Sequence, residues 1–311
     1  MTKVFIDGKA GTTGLRIYER LAERKDIELI TLSDELRKDP AAKKGAFEAA
    51  DIAFLCLPDA AAIEAAQLAG DTVVIDTSTA HRTAPGWVYG FPELKGQEEK
   101  IRASRRIANP GCHASGFISL VAPLVAEGLL AKDAALTCFS VTGYSGGGKK
   151  MIADYEDPAR IDLAEEGVID PLDSPKQYGL TQSHKHLPEM QKICGLETAP
   201  VFCPVVADFY SGMVVTVPVF KKDLKGTTAD IEDVYRSWYS GNLVKYQPCP
   251  DGGVFGNMMS GRDDMIVTVS GNEDRILLIS CFDNLGKGAS GAAIQNMNII
   301  LGLPQETGLT L

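Results

Sequence analysis

Short apolar runs alternate with helix-like segments from residue 3 to residue 108, and that alternation leaves few folds open. Lys3-Val4-Phe5-Ile6-Asp7, Ile27-Glu28-Leu29-Ile30-Thr31-Leu32, Asp51 to Pro58, Thr72-Val73-Val74-Ile75-Asp76 and Arg105-Arg106-Ile107-Ala108 read as strands. The run from Asp51 is continuously apolar rather than alternating, as in strands covered on both faces. Leu15 to Leu21 and the small-residue stretch Ala60 to Ala69 read as helices. Strands separated by helices build a doubly wound parallel sheet, which binds ligands beyond the carboxyl ends of its strands. Gly8, Pro58, Ser78 and Cys112 each lie just past a strand end, so the spacing predicts one shared crevice.

The first of these turns is Gly8-Lys9-Ala10-Gly11-Thr12-Thr13-Gly14. Its glycines let the backbone turn tightly and approach a pyrophosphate, with a helix N-terminus facing the anion. The plain alternative is an ordinary loop. The second strand leads to Ser33 where NAD-specific sheets carry an acid. Ser33, Arg37 and Lys38 suit a 2′-phosphate, while Asp34 keeps NAD open. A solvated charged turn remains the alternative for Arg37 and Lys38.

Asn109-Pro110-Gly111-Cys112 is a turn followed by the apolar run Phe117 to Ala122, which reads as a helix. Cys112 is thereby placed at a helix N-terminus, where the dipole and free N–H groups favour a thiolate. The alternative is a small cysteine that only packs.

Beyond this point the pattern changes. Ala135 to Thr142, Thr198 to Phe209, Met213 to Phe220 and Met265 to Phe282 hold strand-like runs, which predicts an α+β half with a largely antiparallel sheet. Gly143 to Lys150 reads either as a linker or as a loop whose N–H groups and lysine hold an oxyanion. Residues 151 to 176 are polar and poorly periodic. His184-Lys185-His186-Leu187-Pro188-Glu189 follows. A His-x-His pair suits a metal, but no third ligand stands out, and a histidine here also suits acid–base service to Cys112. Pro188 predicts a helix starting near Leu187, with His186 at its N-cap, Glu189 in its first turn, and the two histidines facing different sides. The segment from Asp283 to Leu301 reads as a loop and a long helix with small residues.

A length of 311 residues allows two domains. The formal net charge of −10 argues against nucleic acid or an anionic membrane as the main partner. No apolar stretch is long enough to span a bilayer, and the N-terminus enters a strand without a signal-peptide core. Seven cysteines form no CxxC pair and no metal cluster, so the expectation is reduced thiols, a cytoplasmic protein and no metal.

Together these motifs resemble the N-acetyl-γ-glutamyl-phosphate reductases, NADPH-dependent enzymes of arginine biosynthesis, over nearly the whole chain. The resemblance rests on Gly8–Gly14, Asp76-Thr77-Ser78 with Arg82, Asn109-Pro110-Gly111-Cys112, Ser145 to Lys149, His184 to Glu189, and Asn284-Leu285-Gly286-Lys287-Gly288 leading to Gln295-Asn296. The chain looks like the shorter of the family's two forms. The resemblance implies a Rossmann domain, residues 1–111 plus 288–311, and a catalytic and oligomerisation domain, 112–287, in a glyceraldehyde-3-phosphate-dehydrogenase-like arrangement. It implies that Cys112 is the nucleophile and His186 the catalytic histidine, with His184 and Glu189 beside it. Gly8, Gly11, Thr12, Thr13, Gly14, Ser33, Arg37, Ser78, Asn284 and Gly288 would hold NADP. Arg82, Asn109, Ser145, Gly146 and Lys149 would hold the substrate. A homodimer or homotetramer is implied. Aspartate-semialdehyde dehydrogenase is the nearest alternative activity. A cofactor-free Cys-His hydrolase and a non-catalytic nucleotide-binding regulator are alternatives of other classes.

Overall fold

The computed structural model describes residues 1–160, 167 and 169–311; of the polar stretch 151–176, residues 161–166 and 168 lie outside the described residues. The chain divides into two compact units, Met1–Gly111 with Ala289–Thr310, and Cys112–Gly288 with Leu311.

The first unit contains β1 (Thr2–Asp7), α1 (Thr12–Ala22), β2 (Ile27–Ile30), α2 (Pro40–Ala49), β3 (Ile52–Leu55), α3 (Asp59–Leu68), β4 (Val73–Asp76), β5 (Val88–Tyr89), α4 (Gln97–Ala103) and β6 (Arg106–Ala108). Its six strands pair in the order β2-β1-β3-β4-β6-β5, all parallel. The chain moves outward from β1 to β2, then crosses back to β3 on β1's other side. That reversal is the switch point at which such sheets open a crevice. Alternate residues of one strand feed opposite cores. Val4 and Ile6 pack with Ile17, Leu21 and Met297. Phe5 packs with Phe47, Ala62 and Ala65 on the other face. Phe5 and Phe47 meet edge-to-face at 5.1 Å. β2 ends at Ile30, short of the predicted Leu32, because the chain peels away into a turn closed by Arg37 N donating to Ser33 O.

The second unit contains α5 (Cys112–Ala126), β7 (Thr137–Gly143), α6 (Gly148–Tyr155), β8 (Lys176–Gln177), α7 (Leu187–Cys194), β9 (Val201–Ala207), β10 (Met213–Phe220), α8 (Thr228–Trp238), β11 (Val244–Tyr246), β12 (Met265–Gly271) and β13 (Arg275–Phe282). The sheet runs β11-β12-β13-β10-β7-β9-β8. β7–β9 and β11–β12 pair parallel, and the other pairings are antiparallel. α5 packs against β10, β13, α7 and α8. Pro123 lies inside α5 and has no N–H to offer Ser119 O. Tyr239 Oη donates to that carbonyl instead, at 2.6 Å. Tyr235 Oη does the same for Leu120 O, at 2.6 Å. The opposite face of the sheet leaves Phe139, Val201, Phe220 and Leu277 exposed.

Two expectations are corrected here. Gly143 to Lys150 is neither linker nor open loop. Tyr144–Gly147 is a 3-10 turn, pinned by Tyr144 N to Phe209 O and Ser145 N to Tyr210 O, and α6 starts directly after it. These tertiary hydrogen bonds override the weak helix propensity of three glycines. The final segment is a π-helical turn, Gly286–Ser290, followed by the ten-residue α9 (Gly291–Ile300). α9 belongs wholly to the first unit, its residues all lying within Ala289–Thr310. Among the described residues no helix is long and apolar enough to cross a membrane.

Candidate active site

In the first unit, Gly8 leaves β1 with φ +93°, a conformation that favours glycine, and a Cβ there would run into Cys56 O. A Cβ on Gly14, in the first turn of α1, would run into Gly8 O. Gly11 is the N-cap of α1, and Thr12 and Thr13 open the helix. The backbone therefore lies bare at a helix N-terminus, as close approach of a pyrophosphate requires. One turn on, Arg16 Nη1 is buried without a hydrogen-bond partner. These features fit a dinucleotide.

Beside this turn opens a cleft of about 720 Å³, lined in part by Gly8, Ser33, Asp34, Arg37, Lys38 and Lys43. Arg37 Nε lies 3.6 Å from Asp34 Oδ1 at the exposed rim. Ser33, Arg37 and Lys38 all line this cleft.

After β4, buried Asp76 organises the next loop. Its carboxylate accepts from Ser78 N at 3.0 Å and Ser78 Oγ at 2.6 Å, and lies 2.6 Å from His81 Nδ1. His81 stacks on Trp87 at 3.9 Å. Ser78 has therefore committed its hydroxyl proton and offers only lone pairs. Arg82 donates to Asn109 O and Thr77 O at 3.1 and 3.2 Å. Asn109 donates to Ala289 O at 3.0 Å and accepts from Asn296 Nδ2 at 3.2 Å. Its side chain holds the turn before Cys112.

In the second unit, Cys112 is the first residue of α5 and is half-buried. Gly288 lies directly against it: a Cβ there would be 2.9 Å from the Cys112 Cβ. The segment 283–288 is clamped from below. Buried Asp283 accepts from Leu285 N at 2.8 Å and Gly261 N at 2.6 Å. Asn284 accepts from Gly212 N at 2.8 Å and donates to Ser145 Oγ at 3.0 Å. Ser145 is buried, whereas Gly146 and Lys149 are exposed.

His186 is the N-cap of α7 with Pro188 in the first turn, as predicted. It is 4% exposed, and its Nε2 lies 3.9 Å from Oε1 of Glu189, itself 1% exposed. His184 does not face away. Its ring centroid is 4.8 Å from that of His186. The separation expected of residues two apart fails because the segment turns at His184, with Leu187 N donating to His184 O and His186 N donating to His184 Nδ1 at 3.3 Å. Since that Nδ1 accepts, a neutral His184 carries its proton on Nε2.

A third histidine, not singled out from the sequence, supports both. His113 follows Cys112 in α5, with its ring 5.3 Å from His186 and 5.9 Å from His184. Its Nδ1 is 2.7 Å from Ser140 Oγ and its Nε2 2.8 Å from Tyr178 Oη. Burial, and then the charges of His184 and Lys185, push its pKa down to about 3. His113 is therefore neutral near pH 7, with both nitrogens engaged, so it supports neighbours rather than exchanging protons. Burial, and then the charge of Cys112, push the Tyr178 hydroxyl upward, keeping it protonated. The one sequence signal for this network was that His113 adjoins Cys112. Burial also raises the Cys138 and Cys194 thiols, and pushes Cys56 and Cys281 up to about 12, so these four are poor nucleophiles. Among the described residues no group of three or more His, Cys, Asp or Glu is placed to hold a metal ion.

Two family models match: the NAD binding domain of semialdehyde dehydrogenase at residues 3–103 and the semialdehyde dehydrogenase dimerisation domain at residues 112–284. N-acetyl-gamma-glutamyl-phosphate reductase 2 of Nostoc sp. is 44% identical, covering 99% of both chains. The N-acetyl-gamma-glutamyl-phosphate reductase of Brucella ovis is 45% identical, covering 96% of this chain and 99% of that one. Among solved structures, aspartate semialdehyde dehydrogenase from Francisella tularensis matches with TM-score 0.74 at 15% identity, covering 97% of this chain and all of the other. The enzyme from Candida albicans, solved with NADP, matches with TM-score 0.66 at 14% identity, covering 97% and 99%. At such identities the structural likeness speaks for the fold.

Proposed function

The chain belongs to the N-acetyl-γ-glutamyl-phosphate reductase family, and from that premise we propose that it reduces N-acetyl-γ-glutamyl phosphate to N-acetylglutamate 5-semialdehyde, with NADPH, in arginine biosynthesis. The observation that carries the chemistry is a half-buried thiol opening α5, in the same unit as a buried His186–Glu189 pair.

Cys112 attacks the acyl carbon as thiolate, phosphate leaves, and a thioester remains. N–H groups at the start of α5 hold the developing oxyanion. NADPH, when bound, supplies hydride to the thioester carbon. His186 protonates the resulting oxyanion, then takes the proton back as the hemithioacetal collapses, releasing aldehyde and thiolate. Glu189 orients His186, while His184 lies beside it on the substrate side. Gly8, Gly11, Thr12, Thr13 and Gly14 hold the pyrophosphate, Ser33 and Arg37 hold the 2′-phosphate, and Ser78 accepts a hydrogen bond from the cofactor. Asn284 and Gly288 serve by fixing the segment that abuts Cys112, since the Asn284 amide is already committed to Gly212 and Ser145. Arg82, Ser145, Gly146 and Lys149 are the substrate-side groups, with Asn109 acting through the turn that it holds. We assign cofactor binding to the first unit, and catalysis and oligomerisation to the second.

The test is phosphate-dependent, NADP-linked oxidation of N-acetylglutamate 5-semialdehyde. Activity is expected at least about 100-fold above that with aspartate semialdehyde, because buried polar groups left unmatched discriminate strongly. NADPH should exceed NADH at least about tenfold in kcat/KM. The reverse substrate order would make the chain an aspartate-semialdehyde dehydrogenase, and no turnover with either would favour a nucleotide-binding regulator.

We infer a homodimer or homotetramer formed through the open sheet face. Phe139 and Leu277 are exposed there at 43% and 37%, and clustered apolar surface of this kind marks association. Light scattering should give two or four chain masses for the native protein and less for Phe139→Asp/Leu277→Asp; a native monomer would refute this assembly. A cytoplasmic site suits a thiol nucleophile that must stay reduced.

A further inference from the structure

The cleft beyond β1 contains an ion pair that neither the glycine turn nor the Ser33–Lys38 turn explains. Asp7 is the last residue of β1, with its side chain 5% exposed, and Lys43 Nζ of α2 lies 2.7 Å from its Oδ2. Both residues line the cleft with Gly8, Ser33, Arg37 and Lys38. The Lys43 ammonium is thus the counter-charge of this carboxylate, whose Oδ2 is buried beneath it. Burial raises the Asp7 carboxyl pKa, and Lys43 works against that rise.

The position of Asp7 matters because of what a carboxylate does in such a cleft. In such sheets an acid at the end of the second strand accepts hydrogen bonds from the ribose hydroxyls of NAD, and an uncompensated carboxylate elsewhere in the same cleft repels a 2′-phosphate. β2 of this chain is followed by Ser33 rather than an acid, but β1 ends in one. The other acid in the lining, Asp34, is at the exposed rim beside Arg37. Asp7 is thus the buried acid of the cleft. Lys9 is directed elsewhere, with its Nζ 3.3 Å from the Tyr18 ring centroid.

We propose that Lys43 is a specificity-determining residue: by pairing with Asp7 it silences the buried acid of the cleft and so admits a 2′-phosphorylated cofactor. The inference rests on the NADP reading above. It gives the sheet two separable devices, a cationic turn that attracts the phosphate and an internal counter-charge that stops its rejection.

The test is equilibrium binding of NADPH and NADH, followed by nucleotide fluorescence without substrate, in the wild type, Lys43→Met, Asp7→Asn and the double variant. Lys43→Met should raise the Kd for NADPH at least about tenfold and leave that for NADH unchanged or lower. Adding Asp7→Asn should return the NADPH Kd to within about threefold of the wild type. Equal weakening of both nucleotides, or no recovery in the double variant, would overturn the proposal. If Lys43→Met does not fold, Asp7→Asn and the double variant carry the test. With the acid gone, losing Lys43 should change the NADPH Kd by less than about threefold, and a larger loss would mean that Lys43 grips the phosphate itself. A wild type that binds both nucleotides equally would refute the cofactor reading. The Lys43 inference is judged separately, on the change in the NADPH-to-NADH ratio between variants.

Discussion

Cys112→Ser is expected to lower kcat by about 10⁴-fold or more while leaving the NADPH Kd within about threefold of the wild type. The exchange preserves shape and removes the chemistry. A serine hydroxyl is hardly ionised near neutral pH, and no general base close by would activate it as fully as a helix N-terminus activates a thiol. Cys112 belongs to the second unit and the Gly8 cleft to the first, so nucleotide binding provides an internal control. Iodoacetamide gives a second readout. The fastest-reacting thiol of the wild type should be lost in Cys112→Ser, because burial makes Cys56, Cys138, Cys194 and Cys281 poor nucleophiles and the half-buried Cys203 and Cys249 lie in a strand and a loop rather than at a helix N-terminus. A variant that kept a tenth of the wild-type rate would make Cys112 a packing residue.

His186→Asn is expected to cut kcat by about 10²–10⁴-fold, the usual worth of a positioned acid–base group. His184→Asn should act mainly on KM. The structure sharpens this contrast. His186 is backed by Glu189 at 3.9 Å, a carboxylate placed to stabilise an imidazolium. His184 is fixed by its own chain, with Nδ1 accepting from His186 N. His113 does not confuse the assay, because its pKa of about 3 lies below any working pH. A limb of the pH–rate profile that disappears in His186→Asn and persists in His184→Asn would complete the assignment. The opposite pattern would reverse it. Losses of only a few-fold in both would place the acid elsewhere.

The sheet of the first unit was legible because its cause is local. Val4-Phe5-Ile6 and Ile52-Ala53-Phe54-Leu55 are apolar at every position, and only burial on both faces accounts for that. The start of α5 at Cys112 and of α7 at Leu187 followed from Asn-Pro-Gly and from Pro188, whose backbone restrictions act within a few residues. What escaped depends on partners far along the chain. Ser140 and Tyr178, which hold His113, are 27 and 65 residues away from it. The role of Gly288 became visible only where its backbone meets Cys112. Lys43 carries no local signal either, and its pairing with Asp7 at 2.7 Å, 36 residues away in the chain, depends on the fold. The glycines at 146 to 148 misled for the converse reason, since their local preference for a loop loses to the hydrogen bonds that Tyr144 N and Ser145 N donate to Phe209 O and Tyr210 O.

The burial of α5 has a consequence for durability. Helix ends usually fray, and a nucleophile on one would be expected to fray with it. Here His113 through Leu124 are all buried, and two tyrosine hydroxyls grip the carbonyls around the Pro123 break. Amides in such a helix exchange with solvent only through large, cooperative openings of the domain. The Cys112 sulfur thus keeps its place for as long as the second unit stays folded. Gentle warming should not disarm it by local loosening. In an ageing preparation the sulfur itself is the weak point, because a half-buried thiol is open to sulfenic acid formation even while the helix beneath it stays intact.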